Sequence, residues 1–488
     1  MEKPANTVLI IFGITGDLAQ RKLLPALYRL AEENILPPEF RVVGISRRGT
    51  TTADVINIIK NRIDAHDGRS AEIFARLEKI ISIAAMNIAE GDEYGALTAE
   101  LERLESEVHH PLNRLFYLAI PASLFQTVTE RLGQSDINVH GKDNRECRFL
   151  IEKPFGYSLS SAQDLISALD QLFDEEQIFR IDHYLAKETA QNILAFRFEN
   201  PLFSAAWNRE HISHILITAV ESIGIEGRAS FYENMGALRD LVQSHLLQLL
   251  ALVTMNRPSS MSASDIHREK EILLSRIRPP EKGRMEKETV RGQYRSYREE
   301  TGKTDSLTET YAAIKLSIDT DEWRGVPVFI RTGKAIKEKV TEITLVFFDD
   351  KYRMRKNYLT IRIQPNEGIV IDLQIKKPGF GSALEQVQLD FCYGEKLPAR
   401  ASDAYERVLF DAMRADRTLF ATSSEVLSCW RITEPILEEW KTPGFPLHIY
   451  ENNSWGPEAA DILIGASGER WLTDTHMVCT VPRIIKSV

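Results

Sequence analysis

The segment Arg180-Ile181-Asp182-His183-Tyr184-Leu185-Ala186-Lys187-Glu188 packs a carboxylate, an imidazole, a phenol and an ammonium into one short stretch. Read as the start of a helix, it puts His183 and Lys187 four apart on one side, where together they can grip an anion such as a phosphate. Asp182 can then point elsewhere and orient a histidine supplied by another segment. His245 is a separate candidate for a site. Residues 235–254 read as one helix with Leu or Val at 238, 241, 242, 246, 247, 249, 250, 252 and 253. A step of about 100° per residue spreads these around the whole circumference, so the helix is expected to be buried. Asp240 and His245 lie inside it, and polar groups removed from water need partners. A lone histidine there reads first as a satisfied core residue; the cluster at 180–188 reverses that preference.

Further ionisable groups stand next to strands. Glu152-Lys153-Pro154-Phe155-Gly156 follows an apolar run, at the carboxyl end of a strand where α/β sheets form ligand crevices. Arg331-Thr332-Gly333-Lys334 follows Val328-Phe329-Ile330, with Lys339 shortly after, and Glu221 ends the run from His214. Taken singly, each lysine also reads as a solvated surface residue and Glu221 as a capped or exposed acid. Near the N-terminus, Gly13-Ile14-Thr15-Gly16-Asp17-Leu18-Ala19 sits between a strand and a helix. Glycines there permit a tight turn and close approach of backbone to a pyrophosphate, which the N–H groups of the next helix favour. The spacing departs from Gly-x-Gly-x-x-Gly. The second strand ends in Ser46-Arg47-Arg48 instead of the acid that NAD sites present to the ribose, so a 2′-phosphate and NADP are expected.

The elements that must carry these groups follow from the apolar pattern. Runs at 7–12, 41–46, 114–120 and 147–151 alternate with helical stretches up to about residue 180, which predicts a doubly wound α/β, Rossmann-like dinucleotide-binding domain over 1–180. From 212 onward, β-type runs at 214–220, 311–318, 342–348, 358–363 and 369–375 cluster with few helices between them. That predicts a larger α+β domain over 181–488 with a mainly antiparallel sheet. Residues 256–309, polar and charged, read as a solvated surface excursion.

Composition narrows the ligands. The 488 residues carry 60 Lys plus Arg against 70 Asp plus Glu, a net charge of −10, which argues against nucleic acid and anionic membrane as partners. No stretch approaches the roughly 20 apolar residues of a membrane span, and the N-terminus shows no cleavable leader, so a cytoplasmic protein is expected. The four cysteines lie far apart, which points to a reducing compartment and no structural metal.

With these residues in view, the chain resembles the glucose-6-phosphate dehydrogenase family. GITGDLAQRKLLPALY is similar to its coenzyme fingerprint and RIDHYLAKE to its active-site signature. IEKPFG, FYENMGALRDLVQSHLLQ, FIRTGK, IRIQPNEG, DAYERVLFDAMRADRTLF and SWGP occur in the family's order. Thr15, Ala186 and Asn452-Asn453 depart mildly from the pattern. The resemblance implies oxidation of glucose 6-phosphate to the lactone by NADP, with NAD as a secondary coenzyme, no metal, and a homodimer or homotetramer formed through the antiparallel sheet. It implies His245 as general base and Asp182 as its orienting acid. His183, Tyr184, Lys187 and Lys334, with Lys339, would bind the phosphate; Glu221 and Asp240 would bind the sugar hydroxyls. Lys153 would lie between substrate and coenzyme. Gly13, Thr15, Gly16, Asp17, Leu18, Arg47, Ala119 and Pro121 would hold the coenzyme. A Rossmann sugar dehydrogenase of the glucose–fructose oxidoreductase kind, which needs no phosphate grip, and a catalytically silent NADP sensor, which needs no base, are the competing readings.

Overall fold

The computed structural model describes residues 3–46, 49–63, 68–90, 93–121, 124–135, 137, 145–348, 356–396 and 402–472. It forms two compact units. The first comprises Met1–Ala186, Ser262–Ser264 and Ser402–Val426, and the second Lys187–Met261, Asp265–Ala401 and Leu427–Val488.

The first unit is built on β1 (Thr7–Phe12), β2 (Phe40–Ser46), β3 (Ile81–Ala85), β4 (Asn113–Leu118), β5 (Cys147–Ile151) and β6 (Ile178–Ile181). These six pair in parallel in the order β6-β5-β4-β1-β2-β3, and Phe420–Ala421 adds an antiparallel edge beside β6. Every residue of β1 is buried, as expected for a parallel strand covered on both faces, which is why its sequence shows no polar alternation. The strand order reverses at β1, between β4 and β2. A crevice at the carboxyl ends of the strands follows from that reversal. The returning helix Ala404–Met413 joins this unit from far along the chain, fastened where the Arg148 guanidinium donates to Ala412 O at 2.9 Å and Met413 O at 3.2 Å.

The second unit is a ten-stranded sheet. Its path runs Leu384–Cys392, Gly368–Lys376, Tyr358–Gln364, Val340–Phe347, β7 (Ile212–Val220), Val328–Gly333, Tyr311–Ile318, Thr289–Tyr294 and His448–Tyr450, with Ile277–Arg278 pairing off Tyr311–Ile318. All pairs are antiparallel except β7 with Val328–Gly333 and Thr289–Tyr294 with His448–Tyr450. The architecture is therefore a parallel Rossmann-like sheet plus a mainly antiparallel α+β domain.

Two expectations are corrected. The polar stretch 256–309 is not a surface excursion: it contributes the fully buried strand Thr289–Tyr294 and the buried Lys270, Tyr294 and Tyr297. The polar side chains of that strand are paired with backbone carbonyls, Arg291 with Phe445 O and Pro446 O and Gln293 with Ser306 O and Thr308 O, so a buried strand reads as polar. Residues 235–254 are not one helix. Gly236, at φ +67, breaks the chain, and beyond it run a π-helix, Leu238–Leu246, and an α-helix, Leu247–Thr254. Cys147 and Cys429 are buried and take part in no disulfide. No helix among the described residues is long and apolar enough to cross a membrane.

Candidate active site

In the first unit, β1 ends at Phe12 and Gly13 turns the chain at φ +82. A Cβ there would stand 2.6 Å from Ala119 O, so the turn needs glycine for both conformation and space. Gly13 N–H donates to Ile45 O at 3.2 Å, and Gly16 N–H closes the turn onto Gly13 O at 2.8 Å. Gly44 of β2 plays a supporting part, since a Cβ on it would meet Ile14 Cδ1 at 2.4 Å. The result is a cavity of about 740 Å³, the size of a cofactor site, with Gly13, Thr15, Gly16, Ala119 and Pro121 in its wall. These residues fit a dinucleotide because a side chain at either glycine would fill the cradle. Asp17 is exposed and ion-paired with Arg21 at 2.6 Å, and Leu18 is half-buried; neither lines the cavity. Arg47 lies outside the described residues. Sequence reasoning missed Ser46 and Thr50, whose hydroxyls meet at 2.8 Å in the cavity wall, and residues 86–89 beside them, which carry no motif.

Beyond β6, Asp182 is buried; its Oδ1 accepts Tyr184 N–H at 3.0 Å and its carbonyl accepts Leu185 N–H at 3.0 Å. These bonds curl 182–187 into turns, and the helix Glu188–Phe198 starts only after Lys187, itself extended at φ −74 and ψ 139. The helical spacing expected for His183 and Lys187 therefore does not exist. Lys187 belongs to the second unit, where its ammonium donates to the Gln364 side-chain carbonyl. His183 stays half-exposed with its ring 5.0 Å from that of buried Tyr184. Lys153 is half-buried directly past β5, with a cis peptide to Pro154.

The second unit brings Lys334, Glu221 and Asp240 together. Lys334 is 5% exposed, bonds the Glu221 carboxylate, and lies 3.9 Å from Asp240 Oδ2 and 5.2 Å from the centre of the Tyr232 ring. An ammonium that deep is tolerable only with carboxylates beside it. Sheet pairing places it: Glu221 N–H donates to Gly333 O, Lys334 N–H to Thr310 O, and the Tyr450 hydroxyl to Lys334 O, at 2.8, 3.0 and 2.7 Å. His245, 3% exposed, occupies the π-helix with Asp240. Residues five apart are about 140° apart on an α-helix, but i to i+5 bonding sets them one turn apart, near one face. Buried Glu309 starts that helix, its Oε1 accepting Leu238 N–H at 3.1 Å, and burial raises its carboxyl above the usual range. Lys339 is exposed, ahead of Val340–Phe347. Tyr232, Glu309 and Gln364 went unassigned in the sequence; Tyr232 and Gln364 lie inside stretches that carry the family resemblance, and Glu309 lies outside them. Among the described residues no cluster of His, Cys, Asp and Glu could hold a metal.

Residues 10–192 match the glucose-6-phosphate dehydrogenase NAD binding domain, and residues 194–472 match the glucose-6-phosphate dehydrogenase C-terminal domain. The chain belongs to the glucose-6-phosphate dehydrogenase family. It is 39% identical over 485 residues to glucose-6-phosphate 1-dehydrogenase 2 of Mycobacterium tuberculosis, covering 95% of this chain and 94% of that protein. To the glucose-6-phosphate 1-dehydrogenase of Aggregatibacter actinomycetemcomitans it is 39% identical, covering 96% and 98%. A solved glucose-6-phosphate dehydrogenase in complex with its substrate glucose-6-phosphate superposes at a TM-score of 0.90 with 33% identity, over 97% of this chain and all of that one. The Mycobacterium avium enzyme superposes at 0.81 with 34% identity, over 96% of this chain and 99% of that one. Membership makes the chain an oxidoreductase with a dinucleotide-binding domain over residues 10–192.

Proposed function

We propose that the chain oxidises D-glucose 6-phosphate at C1 to 6-phospho-D-glucono-1,5-lactone, the first oxidative step of the pentose phosphate pathway, with NADP preferred over NAD. The coenzyme, when bound, supplies the hydride acceptor at C4 of its nicotinamide. His245 takes the proton of the anomeric hydroxyl, a task suited to a neutral imidazole, with Asp182 as its orienting acid. Lys334, Lys187, His183 and Tyr184 bind the phosphate, with Lys339 at their margin; Glu221 and Asp240 accept bonds from the sugar hydroxyls, and Lys153 serves substrate and coenzyme both. The observation that carries this reading is buried Lys334 flanked by Glu221 and Asp240 in the unit that holds His245, a cation and two acceptors suited to an anionic polyol.

Residues 1–180 bind the coenzyme through Gly13, Thr15, Gly16, Ala119 and Pro121, with Asp17 and Leu18 at the helix start and Arg47 on the 2′-phosphate. Residues 181–488 bind the substrate and form a homodimer or homotetramer. Exposed Ile375, Phe380, Leu384 and Leu389 on and between the outer strands of the sheet support that association. A cytoplasmic setting rests on the family resemblance.

Absorbance of reduced nicotinamide, followed with purified protein, glucose 6-phosphate and each coenzyme, tests the reading. Turnover is expected with NADP, and no turnover with either coenzyme would sink it. His245→Asn is expected to lower kcat about 10²- to 10⁴-fold.

A further inference from the structure

Glu152 follows β5 directly, one residue ahead of Lys153, and has no part in the chemistry above. Its carboxyl is held from two sides. The Tyr117 phenol, on β4, donates to Glu152 Oε1 at 2.5 Å, and the Tyr405 phenol hydrogen-bonds the same carboxyl from the helix Ala404–Met413. Both tyrosines are buried. Asp182, past β6, faces the carboxyl as a further acid, and Lys153 is its ionisable neighbour in the chain. Burial pushes the carboxyl up to about 7 although both phenols pull it down. An acid kept at that expense in a strand-end crevice marks a functional candidate.

Tyr405 also reaches the coenzyme turn. Asp403 Oδ1 caps the returning helix by accepting Tyr405 N–H at 2.9 Å. Lys22, from the helix after the glycine turn, lies 3.6 Å from Asp403 Oδ2 and 5.8 Å from the centre of the Tyr405 ring. One network thus runs from that helix through Asp403 and Tyr405 to Glu152, and along the chain to Lys153. In a chain leaving a strand, neighbouring side chains face different ways, so a clamp on residue 152 governs where residue 153 points.

We propose that Glu152, clamped by Tyr117 and Tyr405, is a positioning residue of the dehydrogenase reaction that acts by fixing the segment carrying Lys153; this rests on the role proposed above for Lys153. The test is a double-mutant cycle on the full chain, with kcat and KM measured separately for both substrates. Glu152→Ala is expected to lower kcat/KM tenfold or more. Glu152→Gln, which keeps an acceptor for the phenols, is expected to restore it to within threefold of the starting protein. Lys153→Ala and the double variant are expected to lose equally, because Glu152 acts through Lys153. Losses that multiply in the double variant, or a Glu152→Ala protein with lowered Tm and unchanged kcat/KM, would overturn the proposal. If Glu152→Ala does not fold, Tyr405→Phe removes one of the two bonds and enters the same cycle. Absence of turnover by the starting protein removes the proposed function itself, whereas normal turnover with multiplying losses removes only the role of Glu152.

Discussion

In the unit built on β1–β6, the cavity is shaped by backbone. Gly13 and Gly16 turn it, Ala119 O closes one wall, and none of its described lining side chains ionises. In the unit built on the ten-stranded sheet, the corresponding candidate is shaped by charge: a buried ammonium, two carboxylates and a buried imidazole. The contrast teaches how each tolerates change. A backbone cradle fails by steric exclusion, which is close to all-or-none. A side-chain cluster loses its contacts one at a time, and its failures are graded and pH-dependent.

The largest effect is expected from Gly13→Val. With φ at +82 and the new Cβ 2.6 Å from Ala119 O, it is expected to destabilise the protein by about 3 kcal/mol or more and to abolish coenzyme binding, as read by urea unfolding and nicotinamide fluorescence. Tight coenzyme binding by this variant would show that the cradle is not built as described. Lys334→Ala should be graded instead: loss of a charge-assisted contact worth about 1.5–3 kcal/mol raises KM for glucose 6-phosphate roughly 10- to 150-fold, with coenzyme KM little changed. An unchanged sugar KM would remove Lys334 from the phosphate site.

His214 checks the pH liability of the second unit. Its ring is 2% exposed, and burial holds it at about 4 against an ordinary 6.5, the Glu469 carboxylate only partly opposing. A histidine depressed in the folded state contributes stability that is present above 6.5 and lost as pH falls toward 4, here about 2.5 kcal/mol by pH 4.5. His214→Gln should flatten that part of the stability curve in denaturant titrations at stepped pH; an unaltered slope would assign the liability elsewhere. The smallest effect belongs to Lys339→Ala. An exposed ammonium is worth under about 1 kcal/mol, so KM should move less than about fivefold with no change in Tm. A change as large as that of Lys334→Ala would mean that the substrate draws Lys339 into the cluster.

Much of the fold was legible because burial leaves a local trace. β1, β5 and the strand Tyr311–Ile318 stand where the apolar runs end, and β4 stops two residues short of its run because Ala119 and Ile120 leave the strand to wall the cavity. The failures have a common origin. Thr289–Tyr294 reads as polar because its partners are carbonyls distant in sequence, and the helix expected to begin within 180–188 is delayed to Glu188 because the Asp182 carboxylate accepts the Tyr184 N–H. Periodicity records which side chains avoid water; it does not record which polar groups find each other.

The same division runs through the candidate site. Residue types and motif order already determined the family, the coenzyme class and the small set of ionisable groups worth naming, since those depend on chemistry carried by single segments. Tertiary structure decided which of them meet. Lys334 joins Glu221 and Asp240, while Lys339 stays in solvent, although the two lysines are neighbours in the chain. Asp240 and His245 approach one face only because a glycine at φ +67 and the buried carboxylate of Glu309 start a π-helix where the sequence reads as α. Partners supplied from 70 residues away or more set that geometry, and no local pattern encodes them.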